Sequence, residues 1–106
     1  MKVYNRSQHQ VGEVNRYGTV TNNDGHKVGD VSEDGTVIDG YGRHVGNVSE
    51  DGIITNEDDS KIGEVSEDGT VTDHDNNKIG GVDMSDDGNL HFAGGAALLL
   101  LLLAKQ

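Results

Sequence analysis

Cysteine is absent from the 106 residues, and basic residues are few. The first absence excludes disulfide bonds, thiolate metal sites and a cysteine nucleophile. Against 8 Lys and Arg stand 19 Asp and Glu, which gives a net charge of −11. Binding to nucleic acid or to an anionic membrane face requires clustered Lys and Arg, and the sequence has no such cluster. Nucleic acid is therefore excluded as a partner, and a membrane is disfavoured.

Sequence signals for secretion and for catalysis are also missing. No apolar segment follows residues 1–5, as a signal peptide would require, so the predicted location is the cytoplasm. There is no Gly-x-Ser-x-Gly, no Walker loop and no dinucleotide fingerprint. The carboxylates lie in repeated turns, with no apolar pocket that could raise the pKa of one of them. These absences predict a protein that is not an enzyme, with no catalytic residues and no cofactor.

Apolar residues are scarce outside the C-terminal segment. Leu, Ile, Val and Phe number 25 in the chain but only 19 in residues 1–93, about one fifth of that part. An acidic chain below roughly 20% is expected to be disordered. Six consecutive leucines, from Leu98 to Leu103, are the obvious missing core and could contribute on the order of 9–18 kcal/mol as an upper bound. At this length we expect a single domain, residues 1–106.

A 17-residue repeat is the strongest pattern in the sequence. It consists of Val or Ile, then Gly, one variable residue, and Val. The repeat glycines are Gly12, Gly29, Gly46, Gly63 and Gly80. A second glycine series with the same spacing is Gly18, Gly35, Gly52 and Gly69, after which the last unit gains two residues and its glycine falls at Gly88.

Each unit is predicted to form two short strands joined by a tight turn. The turn Ser-Glu-Asp-Gly, as in residues 32–35, suits a type I turn with a left-handed glycine, so neighbouring strands should be antiparallel. Val28 and Val31 are three residues apart, and a bulge at Gly29 would return both to the core. A last strand is expected at residues 88–91, which gives about eleven strands in total.

Two architectures fit these strands: a parallel β-solenoid, or a closed antiparallel ring with a plug along its axis. The hairpin-type turns favour the ring. Residues 94–106 are predicted to form the plug, a hydrophobic helix of ~18 Å over residues 94–105. A bilayer span needs roughly 20 apolar residues, and residues 94–104 supply only 11. A membrane-associated module anchored by these leucines remains the alternative.

The repeat resembles the small bacterial β-flower domains, through Val28-Gly29-Asp30-Val31 and its copies. Those domains are pseudo-symmetric rings of β-hairpins, similar to tubby C-terminal and scramblase-like barrels, which a hydrophobic C-terminal helix threads. The resemblance covers residues 2–93 and extends to the helix. It implies a fold and no settled activity. Phosphoinositide binding by tubby-type barrels uses basic residues that this chain lacks. A fifth Val/Ile-Gly strand departs from the fourfold pattern.

Three residue sets could carry chemistry, and for each the sequence favours a structural role. The histidines, which do not share one repeat position, are interpreted as surface residues; they are His9, His26, His44, His74 and His91. Residues 73–77 resemble the opening of a calcium loop, but the sixth and twelfth positions are Lys78 and Met84 instead of Gly and Glu. Ser32, Ser49 and Ser66 share one repeat position, which indicates turn architecture. The sequence therefore predicts a non-enzymatic structural or binding module with no metal site, and it leaves the ligand, the partner and the oligomeric state open.

Overall fold

Ten antiparallel strands close into one barrel in the computed structural model, which describes residues 1–84 and 89–103. Each strand pairs with its neighbours in the chain, and β1 pairs with β10 to close the ring. The closed antiparallel ring is therefore confirmed, and the parallel solenoid is excluded. The strands are β1 (Lys2–Asn5), β2 (Gln10–Val14), β3 (Thr19–Asn22), β4 (Lys27–Val31), β5 (Thr36–Asp39), β6 (His44–Val48), β7 (Ile53–Asn56), β8 (Lys61–Val65), β9 (Thr70–Asp73) and β10 (Lys78–Val82).

The tight turns at one end of the barrel have the predicted chemistry. The Gly35 amide donates to the Ser32 carbonyl at 3.0 Å, and Gly35 has a φ of +95°. Only glycine adopts this conformation readily. The Gly35 carbonyl in turn accepts from the Val48 amide of the next unit at 2.8 Å, so each turn is tied to its neighbour. We call this end, with the turns after β2, β4, β6 and β8, the first rim, and the opposite end the second rim.

The repeat glycine itself faces the barrel interior, which differs from the predicted bulge at Gly29. The register shift lies one residue earlier, because Val20 pairs with Gly29 while Thr21 pairs with Lys27, which leaves Val28 unpaired. Gly29 and Val31 are buried, and Val28 is half-buried against the core. Gly29 therefore provides space inside the barrel instead of a bend in the strand.

One helix, α1 (Leu90–Ala97), continues directly into a π-helical segment, Leu98–Leu102. The predicted last strand at residues 88–91 is wrong, since Leu90 and His91 are helical and Gly88 lies outside the described residues. The helix starts earlier than residue 94 because the Asn89 side chain caps it and accepts from the Phe92 amide at 3.1 Å. Residues 104–106 of the predicted helix also lie outside the described residues.

The helix packs inside the barrel and contacts, in each of the five units, the strand that carries the repeat glycine; we call these strands, β2, β4, β6, β8 and β10, the inward strands. Each leucine of the π-helical segment sits on one repeat glycine. A Cβ built on any of these glycines would lie 2.6–3.2 Å from a leucine methyl carbon and 2.3–2.6 Å from a carbonyl oxygen of the paired strand, so a side chain there would clash with the backbone as well as with the leucine. The pairs are Leu98 with Gly46, Leu99 with Gly29, Leu100 with Gly12, Leu101 with Gly80 and Leu102 with Gly63.

The π-helical winding follows from this pairing. The five glycines lie on β6, β4, β2, β10 and β8, so successive leucines step around the ring one unit at a time and complete one circuit. Five equal steps require about 72° per residue, whereas an α-helix turns about 100°. The wider i→i+5 turn, in which the Leu103 amide donates to the Leu98 carbonyl at 2.8 Å, lowers the rotation per residue toward the symmetry of the ring.

Candidate functional site

The outward position between the repeat glycine and the following valine differs among the five units. It is occupied by Glu13, Asp30, Asn47, Glu64 and Gly81. In the second unit the Lys27 ammonium lies 2.7 Å from the Asp30 carboxylate, and in the fourth the Lys61 ammonium lies 2.8 Å from Glu64. In the third, His44 Nε2 lies 2.9 Å from Asn47 Oδ1. In these three units the side chain at this position therefore bonds the side chain of the first residue of its own strand, whereas in the first unit the Gln10 amide donates to the Gly12 carbonyl instead.

The fifth unit lacks this side chain. Lys78 begins β10 as Lys27 begins β4, but the residue three places later is Gly81, and Lys78 forms no ion pair within residues 1–84 and 89–103. Gly81 pairs with Tyr4 on one side and with Thr70 on the other. The missing side chain leaves a groove of about 340 Å³ on the outer wall. We call it the β10 groove; its lining includes Tyr4, Arg6, Asp68, Thr70, Lys78 and Gly81.

The groove has opposite charges at its two ends. Arg6 and Lys78 belong to the second rim, whereas Asp68 belongs to a first-rim turn. The Asp68 carboxylate accepts a hydrogen bond from the Ser66 hydroxyl and another from the Thr70 amide at 3.0 Å. These bonds, the Ser66 hydroxyl first, lower the pKa of Asp68 from 3.8 to about 2, because they favour the ionised carboxylate. Asp68 therefore stays negative throughout the neutral range.

This lowered pKa predicts acid sensitivity of the first-rim turns. A carboxyl whose pKa is lower in the folded chain stabilises it above the unfolded pKa, and that contribution is lost as the pH falls through the folded pKa. We expect the melting temperature to hold down to about pH 4 and to fall between pH 4 and about pH 2. An Asp68→Asn variant should show a smaller fall. Calorimetry across this pH range measures both.

The matched control for this prediction is Asp51→Asn. In that turn the Ser49 hydroxyl accepts from the amides of Asp51 and Ile53 and forms no bond to the Asp51 carboxylate. We expect the acid-induced fall to be unchanged in this control. Equal falls in Asp68→Asn and in the unsubstituted protein would contradict the role assigned to the Ser66 bond.

The calcium-like residues 73–77 form a second-rim turn. Asp73 Oδ1 accepts from the amides of Asp75 at 2.9 Å and of Asn77 at 3.0 Å. Asn22 and Asn56 make the same pair of bonds in their own turns. Within residues 1–84 and 89–103, no group of three or more His, Cys, Asp or Glu is placed to hold a metal ion.

The serines and histidines form no nucleophile–base pair among the described residues. Ser32 and Ser66 donate to aspartates of their own turns, Asp34 and Asp68. The histidines are spread over both ends of the barrel: His9, His26 and His74 lie on the second rim, His44 bonds Asn47, and His91 Nδ1 lies 2.8 Å from the Glu33 carbonyl. No hydrogen bond joins a serine hydroxyl to an imidazole among the described residues. The sequence feature that corresponds to the β10 groove is Gly81, a glycine at the position where the other four units carry a polar side chain.

Comparison with known proteins identifies one family. A family model described as a 5-fold beta-flower protein matches residues 1–93. The fifth Val/Ile-Gly unit, a departure from the fourfold pattern, is thus part of a fivefold one. No curated protein and no solved structure matches the chain. In the part of the chain that the structure describes, no helix has the length and apolar character needed to cross a membrane.

Proposed function

The chain belongs to the 5-fold β-flower family, and from this premise we propose that it is a non-enzymatic binding module whose C-terminal helix completes its own core. The observation that carries the proposal is the burial of the leucines. Leu98 is fully buried, and Leu99, Leu100 and Leu101 are at most 9% exposed. Leucines that fill the barrel are unavailable to a bilayer. The outer wall and the two rims are then the surfaces that can meet a partner.

Variation among the units supports a binding role for these surfaces. The inward Gly and Val positions keep their residue types in all five units, whereas the outward position changes from carboxylate to amide to glycine. The turns of the second rim vary as well. A fixed scaffold that carries variable surface loops is the usual arrangement of a binding protein. The absence of enzymatic activity is part of the proposal, supported by serine hydroxyls that are already bonded within their own turns.

A lipid test distinguishes the core helix from an anchor. We expect the amides of Leu98 to Leu101 to exchange slowly with deuterium in lipid-free buffer, because they lie inside the barrel. We also expect the chain to stay in the supernatant when vesicles of phosphatidylcholine and phosphatidylserine are sedimented. Hydrogen exchange followed by NMR and a sedimentation assay provide the two measurements.

The membrane-anchor alternative predicts the opposite of both results. Fast exchange of the leucine amides in buffer, together with sedimentation with the vesicles, would overturn the core-helix proposal in favour of the anchor. Arg43→Gln, on the second rim, is the control for surface charge: its sedimentation should equal that of the unsubstituted chain.

A further inference from the structure

We propose that the β10 groove binds a small organic monocarboxylate with a planar or apolar body. The proposal rests on the binding role proposed above and names the ligand class of one site. In two other units the lysine that begins the inward strand is neutralised by a carboxylate three residues later. In the fifth unit that carboxylate is missing, and a ligand carboxylate would take its place.

The other repeat units show how far the lysine side chain at this position extends. The Lys27 and Lys61 ammonium groups lie 2.7 and 2.8 Å from carboxylates attached at the position equivalent to Gly81. Lys78 occupies the same place on β10, so its side chain can reach the space above Gly81. Arg6 lines the same groove and supplies a second cation. A bond from a cation to a carboxylate is roughly twice as strong as a neutral one.

The floor and walls of the groove determine the shape of the ligand. Gly81 exposes bare backbone: a Cβ built on it would have one heavy neighbour, the Gly69 carbonyl oxygen at 3.5 Å. The half-buried side chains of Tyr4 and Thr70 flank it on the two paired strands. A flat body can therefore lie on the backbone beside the tyrosine ring, where aromatic stacking is favourable.

The acidic end of the groove limits the ligand to one negative charge. Asp68, ionised at neutral pH, and Asp83 both line that end. A second anionic group placed there would be repelled, because like charges disfavour each other at short range. The arrangement selects monocarboxylates over extended dicarboxylates.

Benzoate is the probe, with benzamide as its uncharged counterpart. In ¹H–¹⁵N spectra of the intact chain, benzoate should shift the amides of Tyr4, Thr70 and Gly81 at millimolar concentration, and benzamide should bind at least tenfold more weakly. Gly81→Glu supplies the missing carboxylate from the chain and should abolish these shifts. Asn47→Glu is its matched control, since it adds the same charge at the same repeat position, and it should leave benzoate affinity unchanged.

A second pair of variants keeps the test decisive if Gly81→Glu fails to fold. Lys78→Gln should weaken benzoate binding roughly tenfold, whereas Lys61→Gln, with the same loss of charge, should not. Absence of benzoate shifts, equal binding of benzamide, or equal effects of Lys78→Gln and Lys61→Gln would each overturn the proposal. If the leucine amides remain protected in that sample, the proposed function survives and only the carboxylate site fails.

Discussion

Deleting residues 96–106 is expected to leave a chain that does not fold. The deletion removes six leucines, of which four, Leu98–Leu101, are only 0–9% exposed. A buried leucine contributes ~1.5–3 kcal/mol, so the four together contribute on the order of 6–12 kcal/mol. A small domain has a total stability of roughly 5–15 kcal/mol, which this loss would consume. Circular dichroism should show no native strand signal, and amide resonances should collapse into the random-coil range.

Single substitutions in the full chain calibrate this prediction. Leu98→Ala should lower the free energy of unfolding by about 2–5 kcal/mol, because Leu98 is fully buried. Leu103→Ala, at the half-buried end of the leucine run, should cost less. A truncated chain that remains monomeric with dispersed amide resonances would show that the barrel folds without its helix and would refute the role assigned to it.

Replacing Gly80 by alanine is expected to destabilise the protein by about 3 kcal/mol or more, at the upper end of overpacking costs. A Cβ at this position would lie 2.3 Å from the Tyr4 carbonyl oxygen and 2.8 Å from Leu101 Cδ1. The oxygen belongs to the paired strand β1, which cannot move away without opening the closure of the barrel. Chemical denaturation of the variant measures the change in the free energy of unfolding.

The adjacent glycine provides the control. Gly81→Ala places its Cβ on the outer wall, 3.5 Å from the Gly69 carbonyl oxygen, and Gly81 does not have a left-handed φ. We expect this change to be neutral or to stabilise by up to about 1 kcal/mol, since alanine restricts the unfolded chain. Similar destabilisation by both substitutions would mean that the contacts of an inward Cβ with the Tyr4 carbonyl oxygen and Leu101 are not what requires glycine at position 80.

The fivefold symmetry of the barrel explains why the leucines follow one another without interruption. A helix that is apolar on every side is typical of a membrane span or of a buried core. Here each leucine from Leu98 to Leu102 faces a different unit of the ring, so every side of this segment packs against the barrel wall. The five repeat glycines leave five equivalent spaces on the inner wall of the barrel, and one leucine from each of five successive positions fills each space. The uninterrupted run is therefore a consequence of fivefold packing.

Much of the fold could be predicted from local pattern. The 17-residue spacing gave the hairpins, and the Ser-Glu-Asp-Gly turns gave the antiparallel direction, because a left-handed glycine at a fixed offset specifies the turn. Because few apolar residues precede position 94, the C-terminal helix was predicted to supply the core. The start of the helix at Leu90 was not predicted, because residues 88–91 align in sequence with the second strand of the earlier units, whereas in the structure Asn89 caps a helix.

Sequence alone thus determined the repeat unit and the hairpins, which depend on residues close together in the chain, and the need for an internal helix, which follows from the low apolar content of residues 1–93. Tertiary structure alone decided that the repeat glycines face inward and contact the leucines, and that these leucines form a π-helical segment inside the ring of five units. It also decided that Tyr4 lies beside Gly81 and that Arg6 lines the same groove, because closure of the barrel pairs β1 with β10 across almost the whole repeat region. Such contacts depend on the closure of the ring, and the repeat pattern in the sequence does not show that the first and last strands pair.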